Sequence, residues 1–153
     1  MTRLENKRIL VTGGTSGLGR AMALRFAKEG AAVAFTGRRE EAIDETLRVV
    51  REGSGRDAVS ITADHLKGDD NERAIDACVR ALGGLDVLVN NAGVIGFDGA
   101  LEPRPDEFRR LIETNLFAPY GLMRFATPHL VASAASGRDA SILNISSVAS
   151  LRP

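Results

Sequence analysis

A glycine-rich segment, TGGTSGLGR at residues 12–20, has the residue types and spacing to bind an anion. It lies between a short apolar run and a segment with helical periodicity, so its glycines let backbone N–H groups at a helix N-terminus approach a phosphate. Three residues separate Gly13 from Gly17 and one separates Gly17 from Gly19, which differs from the G-x-G-x-x-G spacing. The same glycines could instead form only a tight strand-to-helix turn, and that alternative stays open here.

A P-loop is another phosphate-binding motif to consider, because Gly14 and Gly19 have its G-x-x-x-x-G interval. In a P-loop the next two positions carry a lysine for the phosphates and a serine or threonine for magnesium. Arg20 and Ala21 occupy those positions in this chain. The sequence therefore argues against a P-loop, and no spacing of cysteine, histidine and acidic residues predicts a metal site.

One asparagine shares the helical periodicity of four apolar residues: Phe108, Leu111, Ile112 and Leu116. On this stripe the amide of Asn115 is expected to need a hydrogen-bond partner. Pro119 lies four residues later and has no N–H group, so it predicts a kink and frees the carbonyl of Asn115 to hold a water molecule. A proline kink with a locally satisfied asparagine is the alternative.

Two hydroxyl side chains, Ser146 and Ser147, end the last apolar run, ILNISS. Open α/β sheets place their chemistry at the carboxyl ends of strands, so these serines are candidates for substrate contact. Polar residues that merely close a strand are the alternative interpretation.

The elements that must position these residues alternate along the chain. Short apolar, β-branched runs at 8–12, 32–36, 58–63, 86–90 and 141–145 predict buried strands, with helical segments between them. This alternation predicts an α/β fold, a doubly wound (Rossmann-like) parallel sheet of about five strands. We expect one dinucleotide-binding domain over residues 1–153.

The composition excludes several kinds of partner. Twenty basic and twenty acidic side chains cancel, so no charge excess predicts binding to nucleic acid or to an anionic membrane. No apolar stretch reaches the roughly 18 residues of a membrane span, and the start of the chain does not fit a secretory signal. The single cysteine, Cys78, has no internal disulfide partner. These features favour a cytoplasmic protein.

Four motifs in the expected order resemble the short-chain dehydrogenase/reductase family. Thr12, Gly13, Gly17 and Gly19 match its T-G-x-x-x-G-x-G motif, and NNAG at residues 90–93 follows the fourth predicted strand. TNLFAPYG resembles the asparagine helix of the family, and ILNISS resembles its serine strand. The resemblance covers the whole chain and implies an oxidoreductase that moves hydride between nicotinamide and a carbonyl or secondary alcohol.

The resemblance also implies roles for individual residues. Ser147 matches the serine that hydrogen-bonds the substrate oxygen, and Asn115 matches the asparagine that anchors a water in a proton relay. His65 departs from the small aliphatic residue usual in the family, so we interpret its side chain as that of a surface loop histidine. The residues expected to contact the cofactor are Gly13, Thr15, Ser16, Gly17, Leu18, Gly19, Asp64, His65, Asn91, Ala92 and Gly93.

The segment TGRRE predicts which nicotinamide cofactor binds. Gly37 stands where members that prefer NAD usually have an acidic residue, and Arg38 stands where members that prefer NADP have a base. An arginine there accommodates the 2′-phosphate. Arg38 and Arg39 therefore predict NADP rather than NAD, with a solvated arginine pair at a helix start as the alternative.

The proton donor of the family is a tyrosine, followed four residues later by a lysine, and it lies roughly a dozen residues past the serine. Only six residues follow Ser147, and the one tyrosine, Tyr120, lies near Asn115. We therefore expect an N-terminal part of an enzyme, inactive alone, that lacks the C-terminal strands and helices and needs a C-terminal segment or second chain. A homo-oligomer is expected when the enzyme is complete. The alternative is a non-catalytic nucleotide-binding or interaction module.

Overall fold

The structure is a computed structural model that describes residues 2–95 and 104–147. Strands and helices alternate through it, as the apolar runs predict. The strands are β1 (Arg8–Val11), β2 (Ala32–Gly37), β3 (Val59–Thr62), β4 (Val87–Asn90) and β5 (Ser141–Asn144). The helices are α1 (Gly17–Lys28), α2 (Glu40–Ser54), α3 (Gly68–Leu82), α4 (Pro105–Ile112) and α5 (Ala118–Ala135), with a π-helical segment (Glu113–Phe117) between the last two.

The five strands form one parallel sheet in the order β3-β2-β1-β4-β5. The chain runs outward from β1 to β3 and then returns to the other side of β1 with β4. The strand order therefore reverses between β1 and β4, which is where open α/β sheets form a ligand crevice at their carboxyl ends. The predicted doubly wound parallel sheet is confirmed.

Each face of the sheet carries its own apolar core, because successive strand residues point to opposite faces. Ile9 and Val11 of β1 pack with α1 and α2, whereas Leu10 packs with α3 and α5. All three side chains are at most 1% exposed. Helices on both faces explain why the central strands read as continuous apolar runs rather than as alternating patterns.

An ion cluster around Asp86 joins the amino end of the sheet to α5. The fully buried carboxylate accepts hydrogen bonds from the backbone N–H of Arg8 at 2.8 Å, from Nη2 of Arg8 at 2.6 Å and from Nη2 of Arg138 at 2.7 Å. The hydroxyl of Ser133 also donates to it. Burial works to raise the pKa of Asp86, but hydrogen bonds from Arg138, Arg8 and Ser133 outweigh burial and hold it well below 3.8.

The helical stretch around Asn115 differs from the expectation of a single buried stripe. Phe108 and Leu116 are 53% and 57% exposed, Asn115 is exposed as well, and no residue of α4 is buried. Phe108 is already exposed before the π-helical segment begins, so the apolar spacing alone did not identify a face that packs against the described residues. In that segment the N–H of Ala118 donates to the carbonyl of Glu113, five residues back.

β5 forms one edge of the described sheet. It pairs with β4 from Val87 opposite Ser141 to Asn90 opposite Asn144. Thr127, Leu130, Val131 and Ile142 line a shallow, mostly apolar groove beside this edge. Among the described residues, no helix is long and apolar enough to cross a membrane.

Candidate cofactor-binding site

A cavity of about 600 Å³ lies at the carboxyl ends of β1 to β4. We call it the glycine-loop cavity, because the turn between β1 and α1 forms one wall. The residues predicted to contact the cofactor that line it are Gly13, Thr15, Ser16, Gly17, Leu18, Gly19, Arg38, Asp64, His65, Asn91, Ala92 and Gly93. The structure thus brings together residues from loops that are far apart in the sequence.

Gly13 and Gly19 are glycines because neighbouring backbone leaves no room for a side chain. Gly13 has a φ of +65°, and a Cβ there would lie 2.9 Å from the Cα of Ala92. A Cβ on Gly19 would collide with the carbonyl oxygen of Gly13. The start of α1 can therefore approach the β1 loop closely, which is the arrangement that a bound diphosphate needs.

The N-terminus of α1 points its unsatisfied N–H groups toward the same cavity. The helix begins at Gly17 after Ser16, whose side chain makes no capping hydrogen bond to the helix. The first N–H groups of a helix have no partner within it, and the helix dipole favours an anion beside them. The site therefore fits a pyrophosphate in both shape and charge.

Arg20 does not replace the lysine of a P-loop. Its guanidinium donates to the carbonyl of Thr15 at 2.6 Å, to the hydroxyl of Thr46 at 3.1 Å and to the carboxylate of Glu45 at 2.8 Å. These contacts connect the glycine loop to α2, and Arg20 is not among the residues that line the cavity. Its role in the structure is to hold Thr15 in place.

Thr12 and Asn91 hold the two sides of the crevice together. The Thr12 hydroxyl accepts hydrogen bonds from the N–H groups of Asn91 and Ala92, both at 3.0 Å. The amide of Asn91 donates back to the carbonyls of Thr12 at 2.9 Å and Gly13 at 3.2 Å. Sequence reasoning gave Thr12 no role beyond the motif, although its place at the end of β1 was a usable signal.

Arg38 and Arg39 have different positions relative to the cavity. Arg38 lines it, with Nη1 lying 4.0 Å from Oδ1 of Asp64 and a side chain that is 60% exposed. Arg39 precedes α2 as its N-cap residue and does not line the cavity. Of the two predicted cofactor contacts, the structure therefore brings only Arg38 to the site.

The interpretation of His65 as a surface loop histidine is wrong. The ring is partly buried, and both of its nitrogens have partners: Nε2 lies 2.8 Å from Oγ1 of Thr36, and Nδ1 lies 2.7 Å from Oδ1 of Asn71. Burial lowers the pKa of His65 below 6.5, even though the hydrogen bond to Asn71 acts in the opposite direction. Thr36 and Asn71 are partners that no local sequence pattern pointed to.

Asn115 holds the loop that follows β4. Its Oδ1 accepts the N–H of Val94 at 2.9 Å, and its Nδ2 donates to the carbonyl of Val94 at 2.8 Å. The expectation that Asn115 needs a partner is therefore met by the loop backbone. The neighbouring residue, Thr114, is 8% exposed and lines the glycine-loop cavity. Its hydroxyl has no hydrogen-bond partner among the described residues.

Ser147 lies three residues past the end of β5, on the carboxyl side of the sheet. Its side chain is exposed and does not line the glycine-loop cavity. Tyr120 is 64% exposed on α5 and is likewise outside that lining. Within residues 2–95 and 104–147, no group of three histidine, cysteine or acidic side chains could hold a metal ion.

Comparison with known proteins places this arrangement in a family. The family model described as short chain dehydrogenase matches residues 7–153. The chain belongs to the short-chain dehydrogenase family. The resemblance carried by the four motifs is therefore confirmed.

Individual family members match this short-chain dehydrogenase over most of its length. A glucose and ribitol dehydrogenase of Daucus carota is 40% identical over 136 residues, covering 84% of this chain and 46% of the relative. The structure of a metagenomic short-chain oxidoreductase in complex with NADP superposes with a TM-score of 0.88 at 36% identity, covering 98% of this chain and 66% of the other.

A third match was solved with the other nicotinamide cofactor. An NAD⁺-bound xylitol dehydrogenase has a TM-score of 0.89 at 29% identity and covers 98% of this chain and 56% of the other. The family therefore includes structures with NADP and with NAD. The chain spans about half the length of the curated relatives it matches.

Proposed function

We propose that these residues form the cofactor-binding part of an NADP-dependent short-chain dehydrogenase/reductase. The observation that carries the proposal is the glycine-loop cavity, in which the N-terminus of α1 faces Arg38 across a space of about 600 Å³. A helix N-terminus suits the pyrophosphate of a dinucleotide, and a guanidinium suits an additional phosphate.

Gly37 supports NADP over NAD on steric grounds. A Cβ at this position would collide with Cγ2 of Thr15 and lie 2.9 Å from Cγ1 of Ile43. An acidic residue here, whose carboxylate would accept hydrogen bonds from the ribose hydroxyls of NAD, would have to displace the side chains of Thr15 and Ile43. Arg38 follows directly and carries the positive charge that a 2′-phosphate requires. The absence of an acidic residue at Gly37 and the presence of a basic residue at Arg38 therefore both favour NADP.

The bound cofactor supplies a hydride donor or acceptor for a carbonyl or secondary alcohol. In this proposal Ser147 orients the substrate oxygen, and Asn115 fixes the loop at Val94 beside the nicotinamide. Proton transfer needs a group within hydrogen-bond reach of that oxygen. Tyr120 is exposed on α5 outside the cavity lining, so we assign the proton donor to a segment beyond these 153 residues or to a second chain.

The edge strand supports the need for further polypeptide. Among the residues that the structure describes, no strand pairs with the outer edge of β5, and the apolar groove of Leu130, Val131 and Ile142 lies beside it. Exposed strand edges pair readily with other strands. We therefore include in the proposal a C-terminal segment or second chain that covers this edge. The proposal also keeps the homo-oligomer and the cytoplasmic location expected from the sequence.

Calorimetric titration with NADPH and NADH tests the proposed cofactor. We expect NADPH to bind at least about tenfold more tightly than NADH, because only NADPH offers a phosphate to Arg38. Equal affinities would overturn the NADP assignment. Binding of NADPH without any turnover in the complete protein would instead favour a non-catalytic nucleotide-binding module.

A further inference from the structure

A line of hydrogen bonds crosses the floor of the glycine-loop cavity. The N–H of Gly13 donates to Oγ1 of Thr36 at 3.0 Å, Oγ1 of Thr36 lies 2.8 Å from Nε2 of His65, and Nδ1 of His65 lies 2.7 Å from Oδ1 of Asn71. The line joins four parts of the chain: the loop after β1, the end of β2, the loop after β3 and the start of α3.

The donor and the acceptor in each of these hydrogen bonds follow from the chemistry of the groups. The amide oxygen of Asn71 can only accept, so Nδ1 of His65 carries the hydrogen. In a neutral ring Nε2 then has a lone pair and accepts the Thr36 hydroxyl hydrogen. The Thr36 oxygen is left to accept from Gly13. In this arrangement His65 is neutral and in the Nδ1–H form.

The direction of these hydrogen bonds matters because the side chains of Thr36 and Asn71 are buried. Thr36 is 1% exposed and Asn71 is 5% exposed, so water has little access to either side chain. Among the described residues, the Thr36 hydroxyl has Gly13 and His65 as its two partners. A protonated ring would donate from Nε2 to the Thr36 oxygen, and the hydroxyl hydrogen would then lack an acceptor in a buried place.

The charged groups around the ring act in both directions. Asp64 precedes His65, and Asp70 lies on α3; both favour a protonated ring. Arg38, at the end of β2, disfavours it. Burial of the ring is the largest influence and also opposes protonation, so the pKa of His65 lies below 6.5. The ring is therefore neutral at pH 7.5 and becomes protonated in acid.

We propose that His65 is a positioning residue of the cofactor site: its neutral ring orients the Thr36 hydroxyl so that Gly13 is held against β2, and protonation of the ring weakens cofactor binding. This inference rests on the proposed function, because it needs a cofactor whose pyrophosphate meets the glycine loop. A histidine here ties the loop to α3 through hydrogen bonds, which an aliphatic residue could not do.

The tautomer can be tested without any cofactor. The chain has two histidines, His65 and His129, so a His129→Gln variant leaves one imidazole to observe by ¹⁵N NMR. At pH 7.5 we expect His65 to have a hydrogen on Nδ1 and a bare Nε2. A Thr36→Val variant should keep the hydrogen on Nδ1, because the oxygen of Asn71 still accepts it, whereas an Asn71→Leu variant should release the ring into a mixture of tautomers. A hydrogen on Nε2 in the unaltered site would overturn the proposal.

Binding of NADP⁺ at pH 7.5 and pH 5.5 tests the consequence. His65→Gln keeps an acceptor near the place of Nε2 but does not titrate, so it measures the pH dependence of the cofactor phosphate alone. We expect the protein with His65 to lose several-fold more affinity between the two pH values than His65→Gln does, because only its ring gains a proton. His65→Leu, with no acceptor, should bind weakly at both.

The outcomes separate this proposal from the proposed function. Failure of the unaltered protein to bind NADP⁺ at pH 7.5 would overturn the proposed function, and with it the cofactor role of His65. Binding with the same pH dependence in the unaltered protein and in His65→Gln would overturn the role of His65 alone. Equal affinities of His65→Leu and His65→Gln at pH 7.5 would show that the ring merely fills space, which also contradicts the proposal.

Discussion

The Cα of Ala92 lies 2.9 Å from the point that a Cβ on Gly13 would occupy. These two residues belong to different loops, after β1 and after β4, and their contact closes the bottom of the nucleotide crevice. Their closeness explains why a small residue follows Asn91 and why the chain has a glycine at position 13. It also makes the crevice sensitive to the smallest possible substitution.

Gly13→Ala is expected to abolish or greatly weaken cofactor binding. The added methyl would collide with Ala92, and the φ of +65° is strained for any residue with a Cβ. The control is Gly55→Ala, whose φ is +70° but which has open space around it at the end of α2. That variant should lose about 1 kcal/mol of stability and bind NADPH normally. Calorimetry and thermal unfolding distinguish the two, and equal NADPH affinities would contradict the role of Gly13.

Arg38→Ala is expected to remove most of the preference for NADPH over NADH. The guanidinium contributes through a charge-assisted contact with the 2′-phosphate, so NADPH affinity should fall about tenfold while NADH affinity changes little. Arg39→Ala is the matched control, because Arg39 has the same charge but does not line the cavity. An equal effect of both substitutions would mean that only the general positive charge matters.

Asp86→Asn is expected to destabilise the fold by about 3–5 kcal/mol, because two arginines lose the buried carboxylate that pairs with them. The native carboxyl has a pKa below 3.8 in the folded state, so its contribution is present above about pH 4 and is lost as the pH falls further. Asp139→Asn, which removes an exposed partner of Lys7, serves as the control and should change stability little. Urea unfolding at pH 7 measures both; a small effect of Asp86→Asn would show that the cluster adds little.

Asn115→Leu is expected to loosen the loop after β4. The substitution removes both hydrogen bonds to the backbone of Val94, so the Val94 N–H should exchange with solvent at least about tenfold faster, in line with the loss of one net hydrogen bond. Amide hydrogen exchange measures this directly. Protection of the Val94 N–H that is unchanged in the variant would mean that other contacts hold the loop.

The 153 residues by themselves are expected not to consume NADPH with ketones or aldehydes. Ser147 can orient a carbonyl oxygen, but general acid catalysis typically contributes about 10²–10⁴-fold and needs a donor that this proposal places elsewhere. Adding the C-terminal segment in trans should restore an activity that falls with Ser147→Ala. Absorbance of NADPH is the measurement, and Ser147-dependent turnover by the 153 residues alone would implicate another donor, with Tyr120 tested first.

The amino-acid sequence by itself determined the parallel sheet and its family. Strand positions depend on local apolar runs, and the motifs at Gly13 and at Asn91 depend on backbone chemistry that only a few residue types permit. The cofactor contacts inferred from these motifs, like the role of Ser147, stay predictions.

Only the tertiary structure decided which distant side chains meet. Arg138 donates a hydrogen bond to Asp86, and His65 is hydrogen-bonded to Thr36. The order of the strands brings these segments together, and no local sequence pattern relates them. The exposure of Phe108 and Leu116 likewise could not be inferred from their helical spacing. Local propensity acts over a few residues, whereas burial and pairing are settled by packing between elements, so the contacts that hold this site together could be identified only in the folded chain.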